Sequence, residues 1–392
     1  MLNRRSLRVK AMQSLFAYGQ CKEANYNIGL AEIDEAFQPD LNSMEAQDRD
    51  LLKKQRQQCK RVFAHKINGS PLDPSEVIEE ISHTVANKVQ KNYLANQKKD
   101  FEHMLSSMIQ DAESLVDRFL EVTSLLITLA DYSKVEADKK IKISPERLLV
   151  GDFNFSKNKV IDFFRNSSKV QVALVKKNIS WEDEEENYKG WYRDVLKKDE
   201  AFNAYRRTAN PTFEDDKNIV DHIVKQVIFK IDMILSYFEE KDIYWQENKA
   251  IARSLVSRSI RDLEADSIPK EFNLPDFSNN WEEDKGFFEK IFKSAVDKDQ
   301  EYSDIIAAKT KNWEVDRLAI TDQIILKMAI AEMLNFQSIP VKVTINEYIE
   351  LSKNYSTPKS KQFINGILDV ISVELKTTGM LKKSGRGLMD NK

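Results

Sequence analysis

The chain has 392 residues, 41% of them apolar, which is enough for two or three domains with real cores. Only 10 glycines and 9 prolines accompany a charged fraction of 31%, carried mostly by the helix formers Lys, Glu and Arg, so a mostly helical fold is expected. A formal net charge of −3 excludes an overall basic, nonspecific nucleic-acid binder and confines any nucleic-acid site to a local patch.

Along the chain, Leu7, Ala11, Leu15 and Tyr18 recur at helical spacing and predict a first helix from Arg4 to about Gln20. Asp73-Pro74-Ser75-Glu76 has the form of a helix start, with an N-cap followed by a proline and then a glutamate. Breaks are expected at Ile143-Ser144-Pro145, at the acidic run Glu182–Glu186 and at Asn210-Pro211. Between the later breaks, Ile219 to Phe238 reads as one apolar core helix. Pro269, Pro275 and Ser278-Asn279-Asn280 mark a boundary, after which helices are predicted near 282–297, 299–310, 315–336, 344–354 and 358–375. Thr344 with Glu347 has the pattern of a capping box, and Thr357-Pro358 that of a cap on the last helix.

The 315–336 helix is apolar on nearly all faces, so it should run through the middle of a bundle. Its polar exceptions Asp322, Gln323 and Lys327 fall in a narrow arc that alone is expected to face solvent or a ligand. At the head of the chain Arg4, Arg5 and Arg8 share one broad side of the first helix, and Phe16 projects along the same side. Guanidinium groups for phosphates and a flat aromatic for a base suit single-stranded RNA, while a solvated basic terminus with Phe16 in the core is the alternative.

The head Arg4-Arg5-x-x-Arg8-x-x-Ala11-x-Gln13-x-Leu15-Phe16, with Thr344-Ile345-Asn346-Glu347-x-x-Glu350-Leu351 and Phe363-Ile364-Asn365-Gly366-Ile367-Leu368-Asp369, resembles the NusB antitermination factors. The resemblance covers about 115 residues. It implies an all-α, NusB-like helical bundle with an additional helical insertion: 1–22 and 281–376 as the core, 23–280 as the addition and 377–392 as a disordered basic tail. It also implies a binding function, with boxA-type RNA of ribosomal RNA transcripts as ligand. NusE, the small-subunit ribosomal protein, and through it the RNA polymerase antitermination complex would be partners. Carried over by motif, the RNA-binding residues are Arg4, Arg5, Arg8, Phe16, Asp322, Lys327 and Phe363, and the resemblance leaves monomer and homodimer open. Asn346, Asn365 and Gly366 are motif positions expected to serve hydrogen bonding and close packing within the bundle. Ser6 departs from the family's arginine run, and Lys359 stands in a segment that is often acidic. The rival reading is a helical protein-interaction scaffold whose RNA role is reduced or lost.

Signals of catalysis are few. His65, His83, His103 and His222 are scattered, no glycine-rich phosphate loop or nucleophile elbow occurs, and neither Cys21 nor Cys59 adjoins a proline. NusB-like domains also occur attached to ribosomal RNA cytosine methyltransferases, whose cofactor turn and proline-cysteine nucleophile are missing here. No enzyme, cofactor or metal is therefore expected. With no disulfide framework, no signal-peptide core and no run of eighteen apolar residues, the chain reads as soluble and cytoplasmic.

Overall fold

The computed structural model describes residues 1–40, 42, 47–265, 272–310 and 319–391. Every regular element among them is helical. In chain order the helices are α1 (Arg4–Ala36), α2 (Arg49–Asn68), α3 (Glu80–Glu113), α4 (Leu115–Ile143), α5 (Lys159–Asn166), α6 (Ser168–Lys177), α7 (Glu185–Asp194) and α8 (Glu200–Tyr205). They continue with α9 (Phe213–His222), α10 (Asp232–Lys241), α11 (Trp245–Arg261), α12 (Trp281–Asp297), α13 (Asp299–Lys309), α14 (Ile320–Asn335), α15 (Val341–Tyr355) and α16 (Ser360–Thr377).

The chain divides into two compact units, one formed by Met1–Ser6 and Gln110–Trp281, the other by Leu7–Ile109 and Glu282–Lys392. The stretch 23–280 is divided between these two units. Residues 23–109 belong to the same unit as α12–α16.

In the 110–281 unit, α4 runs through the interior with Phe119, Leu125, Leu126 and Ala130 fully buried, and packs against α5, α6, α7 and α11. Two polar networks hold the surrounding short helices. Asn158 caps α5 by accepting from the backbone N–H groups of Val160 and Ile161, and its Nδ2 donates to the Tyr205 hydroxyl (3.2 Å) and Asp216 carbonyl (3.1 Å). Asp152 accepts from Arg206 Nε (2.9 Å), Lys140 Nζ (2.8 Å) and Leu149 N (3.0 Å). The expected core helix over 219–238 is instead α9, a π turn over Ile223–Ile228 and a break before α10. At that break Phe229 stacks on Trp245, 5.6 Å between ring centroids, so burial of the ring prevails over helical continuity. The acidic run is likewise not a loop: Glu185 and Glu186 form the first turn of α7, where the helix dipole favours negative charge.

In the other unit, α14 runs through the middle of the C-terminal helices, with Ile325, Leu326, Met328, Ala329, Ile330, Ala331 and Met333 excluded from solvent. It packs against α13, α15 and α16. The helix predicted over 315–336 begins at Ile320, and residues 311–318, like Pro269, lie outside the described residues. A second core joins α1, α2 and α3 through Ile33, Phe37, Cys59, Val62, Phe63, Val89 and Tyr93. Here α1 continues sixteen residues past the predicted end at Gln20, because Ile33 and Phe37 supply a buried face for that core. Gly29 lets the helices meet: a Cβ at this position would lie 2.7 Å from Phe63 Cζ.

Three local expectations are corrected in this unit. No helix starts at Pro74: Asp73 closes a turn by accepting from Ser75 N (2.9 Å), and α3 begins at Glu80. Residues 77–79 are held off the helix by Gln58, which donates to the Val77 carbonyl (2.9 Å) and accepts from Glu79 N (3.2 Å). Thr344 is not a cap, since α15 already starts at Val341 and the Thr344 hydroxyl donates to buried Glu332 (2.9 Å). The tail expected to be disordered lies against the turn after α14, where Lys383 Nζ donates to the Phe336 carbonyl (2.9 Å) and Ser384 N to the Gln337 carbonyl (3.1 Å).

Candidate nucleic-acid interface

The arginine head opens α1. Its first turn contains no acidic residue, and Asn3 accepts from Ser6 N (2.9 Å) and Ser6 Oγ (3.3 Å) through its side chain. Ser6, which interrupts the arginine run, therefore belongs to the helix start. Arg5 is exposed and Arg4 half-buried. Positive side chains at a helix N-terminus oppose the helix dipole, so their presence there does not serve helix stability.

Arg8 departs from the expected surface cluster. Its side chain is 3% exposed, and its Nε and Nη2 donate to the two carboxylate oxygens of Glu332 at 2.7 and 2.8 Å. Glu347 lies 3.4 Å from Nη1, and the guanidinium carbon sits 5.2 Å from the Phe287 ring centroid and 5.8 Å from that of Tyr348. Glu332 is saturated in turn, accepting also from Thr344 Oγ1 and from the Tyr348 hydroxyl (3.1 Å). Burial works against the charge on Arg8, but Glu332 outweighs it and raises the arginine pKa; burial beside the same carboxylate pushes the Tyr348 hydroxyl well above its ordinary value. A guanidinium so enclosed positions α1 against α14 and α15, leaving no route for a phosphate to reach it.

Phe16 is 40% exposed on α1, which answers the choice between core and surface in favour of the surface. Of the polar arc on α14, Asp322 is buried, and its carboxylate accepts from Ser356 Oγ (2.6 Å) and Ser360 Oγ (2.7 Å). It thereby ties the start of α14 to the turn between α15 and α16. The arc is not the only exposed part of α14, because Ile320 is 51% exposed. Lys327 is largely covered and ion-paired with Asp299, which Lys22 also approaches at 3.5 Å. Phe363 is half-buried one turn into α16. Asn346, Asn365 and Gly366 are exposed, and an added Cβ at Gly366 would meet nothing within 4 Å, so close packing is not why a glycine stands there.

Beside Lys327 the structure holds a cleft of about 400 Å³ that the sequence did not disclose. Part of its wall, Tyr26 and Tyr93, comes from the 23–109 stretch, where no motif pointed to a site. Among the described residues no group of three His, Cys, Asp or Glu side chains could hold a metal ion, and no helix is long and apolar enough to cross a membrane.

The NusB family model matches residues 246–372. A transcription antitermination protein NusB from Dictyoglomus turgidum is 37% identical over 115 residues, which covers 78% of that protein and 29% of this chain. The chain belongs to the NusB family. The NusB of Chloroherpeton thalassium is 49% identical over 106 residues, and that of Salinibacter ruber 41% over 105. The chain spans half the length of the first of these relatives and 66% of the second, while the matched stretch is 27% of its own length in both cases. A solved NusB from T. maritima aligns over 40% of this chain and 91% of its own at 23% identity, with a TM-score of 0.23 that carries no argument about arrangement. Family membership and the all-helical structure agree with the resemblance read from the motifs, and most of this NusB-family chain lies outside the matched stretch.

Proposed function

We propose that this NusB-family chain is a non-catalytic transcription antitermination factor that binds boxA-type RNA of ribosomal RNA transcripts together with NusE and RNA polymerase. The observation that carries the reading is the composition of α1, which opens with Arg4 and Arg5 in an acid-free first turn and presents the exposed aromatic Phe16 three turns on. Arginines for phosphates and an aromatic surface for a base are what single-stranded RNA requires. Names of relatives matched at 37–49% identity support the antitermination role. In this reading Arg5 and Arg4 attract phosphates, Phe16 and Phe363 engage bases, and Lys327 contributes a positive charge that Asp299 balances. Arg8 and Asp322 hold the helices that carry those residues, and neither touches RNA.

Equilibrium binding to a boxA RNA and a scrambled control across a salt series tests this. For every phosphate that an Arg4→Ala/Arg5→Ala variant no longer neutralises, the slope of log affinity against log salt should flatten by about 0.7. Equal, weak, salt-insensitive binding of both RNAs would sink the proposal. It would favour a protein-interaction scaffold, a reading supported by the separate compact unit at 110–281.

A further inference from the structure

The 400 Å³ cleft lies between α1, the end of α2, α3, α12 and α14, wholly inside the unit that carries Phe16 and Lys327. Its size is that of pockets which take small organic groups. Three tyrosines, Tyr18, Tyr26 and Tyr93, line a largely apolar wall, and each is held from behind by phenylalanine. Tyr18 meets Phe101 and Phe292 edge-on at 6.1 and 6.3 Å, Tyr26 stacks on Phe63 at 5.3 Å, and Tyr93 meets the same ring at 6.0 Å. Aromatic walls already locked by packing lose little freedom when a ligand enters.

The polar groups of the cleft narrow the ligand. Lys22 and Lys327 share Asp299, and with Glu23 the charges that line the cleft sum to zero. A phosphate inside would have to displace those ion pairs, whereas a neutral body would not. Asn68, whose side-chain oxygen accepts from Ser70 N (3.2 Å) and Ser70 Oγ (2.6 Å), and Gln323 add amide side chains to the lining. A flat, uncharged, hydrogen-bonding ring fits this combination.

We propose that the cleft receives one unstacked base of the RNA bound at α1, with its phosphate left outside. The inference rests on the RNA-binding reading above. Gly19, which lines the cleft, stands three residues after exposed Phe16, so the two positions are neighbours on the helix surface and successive bases reach both. Tyr26, Asn68 and Tyr93 lie outside residues 246–372 matched by the family model.

A test uses the full chain, a boxA-type RNA and a series in which one nucleotide at a time is abasic, each titrated against wild type and Gly19→Leu. An added Cβ at Gly19 meets nothing within 4 Å and Gly19 lines the cleft, so a leucine there has room to start into it, and thermal unfolding checks that the variant keeps its fold. In wild type the abasic position of the base in the cleft should weaken binding about tenfold, as should that of the base stacked on Phe16. In Gly19→Leu the intact RNA should bind that much more weakly, and the abasic position of the cleft base should make no further difference. RNA binding that is unaffected by Gly19→Leu at every position would overturn the base pocket while leaving the RNA reading intact. Absence of any RNA binding by wild type would overturn both.

Discussion

The Arg8 guanidinium and the Glu332 carboxylate form a two-pronged buried ion pair between residues 324 positions apart, at 2.7 and 2.8 Å. Its members are 3% and 0% exposed, so each depends on the other for its charge to be tolerated. Glu332→Gln should therefore destabilise the protein by about 3–5 kcal/mol, read from denaturant midpoints, because it removes the buried carboxylate that pairs with two of the arginine's nitrogens and leaves only the longer 3.4 Å contact with Glu347. The double variant Arg8→Met/Glu332→Leu should recover most of that loss. A Glu332→Gln protein as stable as wild type would show that the pair is not closed in solution.

Phe16→Ala should weaken boxA-type RNA binding by about 5- to 150-fold, the range expected for one base stacked on an aromatic. Since the ring is 40% exposed, the same variant should keep its melting temperature within a few degrees. Loss of stability without loss of affinity would mean that Phe16 serves packing.

Two glycines should respond oppositely to alanine. At Gly29 the new methyl meets Phe63 at 2.7 Å and Val89 at 3.0 Å, so overpacking of about 1–3 kcal/mol should outweigh the gain in helix propensity. At Gly366 the methyl meets nothing within 4 Å, and Gly366→Ala should gain up to about 1 kcal/mol. Denaturant unfolding of both variants checks the contrast, and a destabilised Gly366→Ala would indicate a partner surface within the chain.

Asp152 links acidity to stability of the 110–281 unit. Burial alone would raise its pKa, but hydrogen bonds from Lys140, the Leu149 backbone and Arg206 hold the carboxyl below its ordinary value. A depressed folded-state pKa stabilises the protein above the unfolded value of about 3.9 and loses that contribution as pH falls through the folded value. Wild type should lose stability on acidification below about pH 4, whereas Asp152→Asn should start less stable at pH 7 and lose less over the same range. Parallel curves for the two proteins would refute the linkage.

The cysteines should differ in reactivity. Cys59 is fully buried and its thiol is pushed up to about 11 by burial, while Cys21 is half-buried, its thiol raised by burial and by the Asp100 carboxylate. A thiol reagent at pH 8 should label Cys21 first and Cys59 only as the protein unfolds. Simultaneous labelling of both in native buffer would contradict the packing of α1, α2 and α3.

Much of the C-terminal bundle was legible because apolar residues at helical spacing specify a buried face whatever lies opposite. Hence α12, α13 and α16 lie within two residues of their predicted bounds, and the all-round apolar α14 is central as expected. The candidate site was less legible. Phe16 lies exposed, but Arg8 and Asp322, carried over by motif, are inside. A helical wheel marks a charged residue as an exception without showing what waits across from it.

By itself the sequence determined the helical class, the apolar faces of α12–α16 and the motifs that place the chain in its family, since these rest on local periodicity and residue identity. Only the tertiary structure decided which polar residues go inside, that α1 runs on to Ala36, that residues 23–109 share a unit with the C-terminal helices, and that three tyrosines enclose a cleft. The physical reason is that a buried charge is tolerated only beside its partner, and those partners, Glu332 for Arg8 and Ser356 and Ser360 for Asp322, come from distant helices that no local pattern connects.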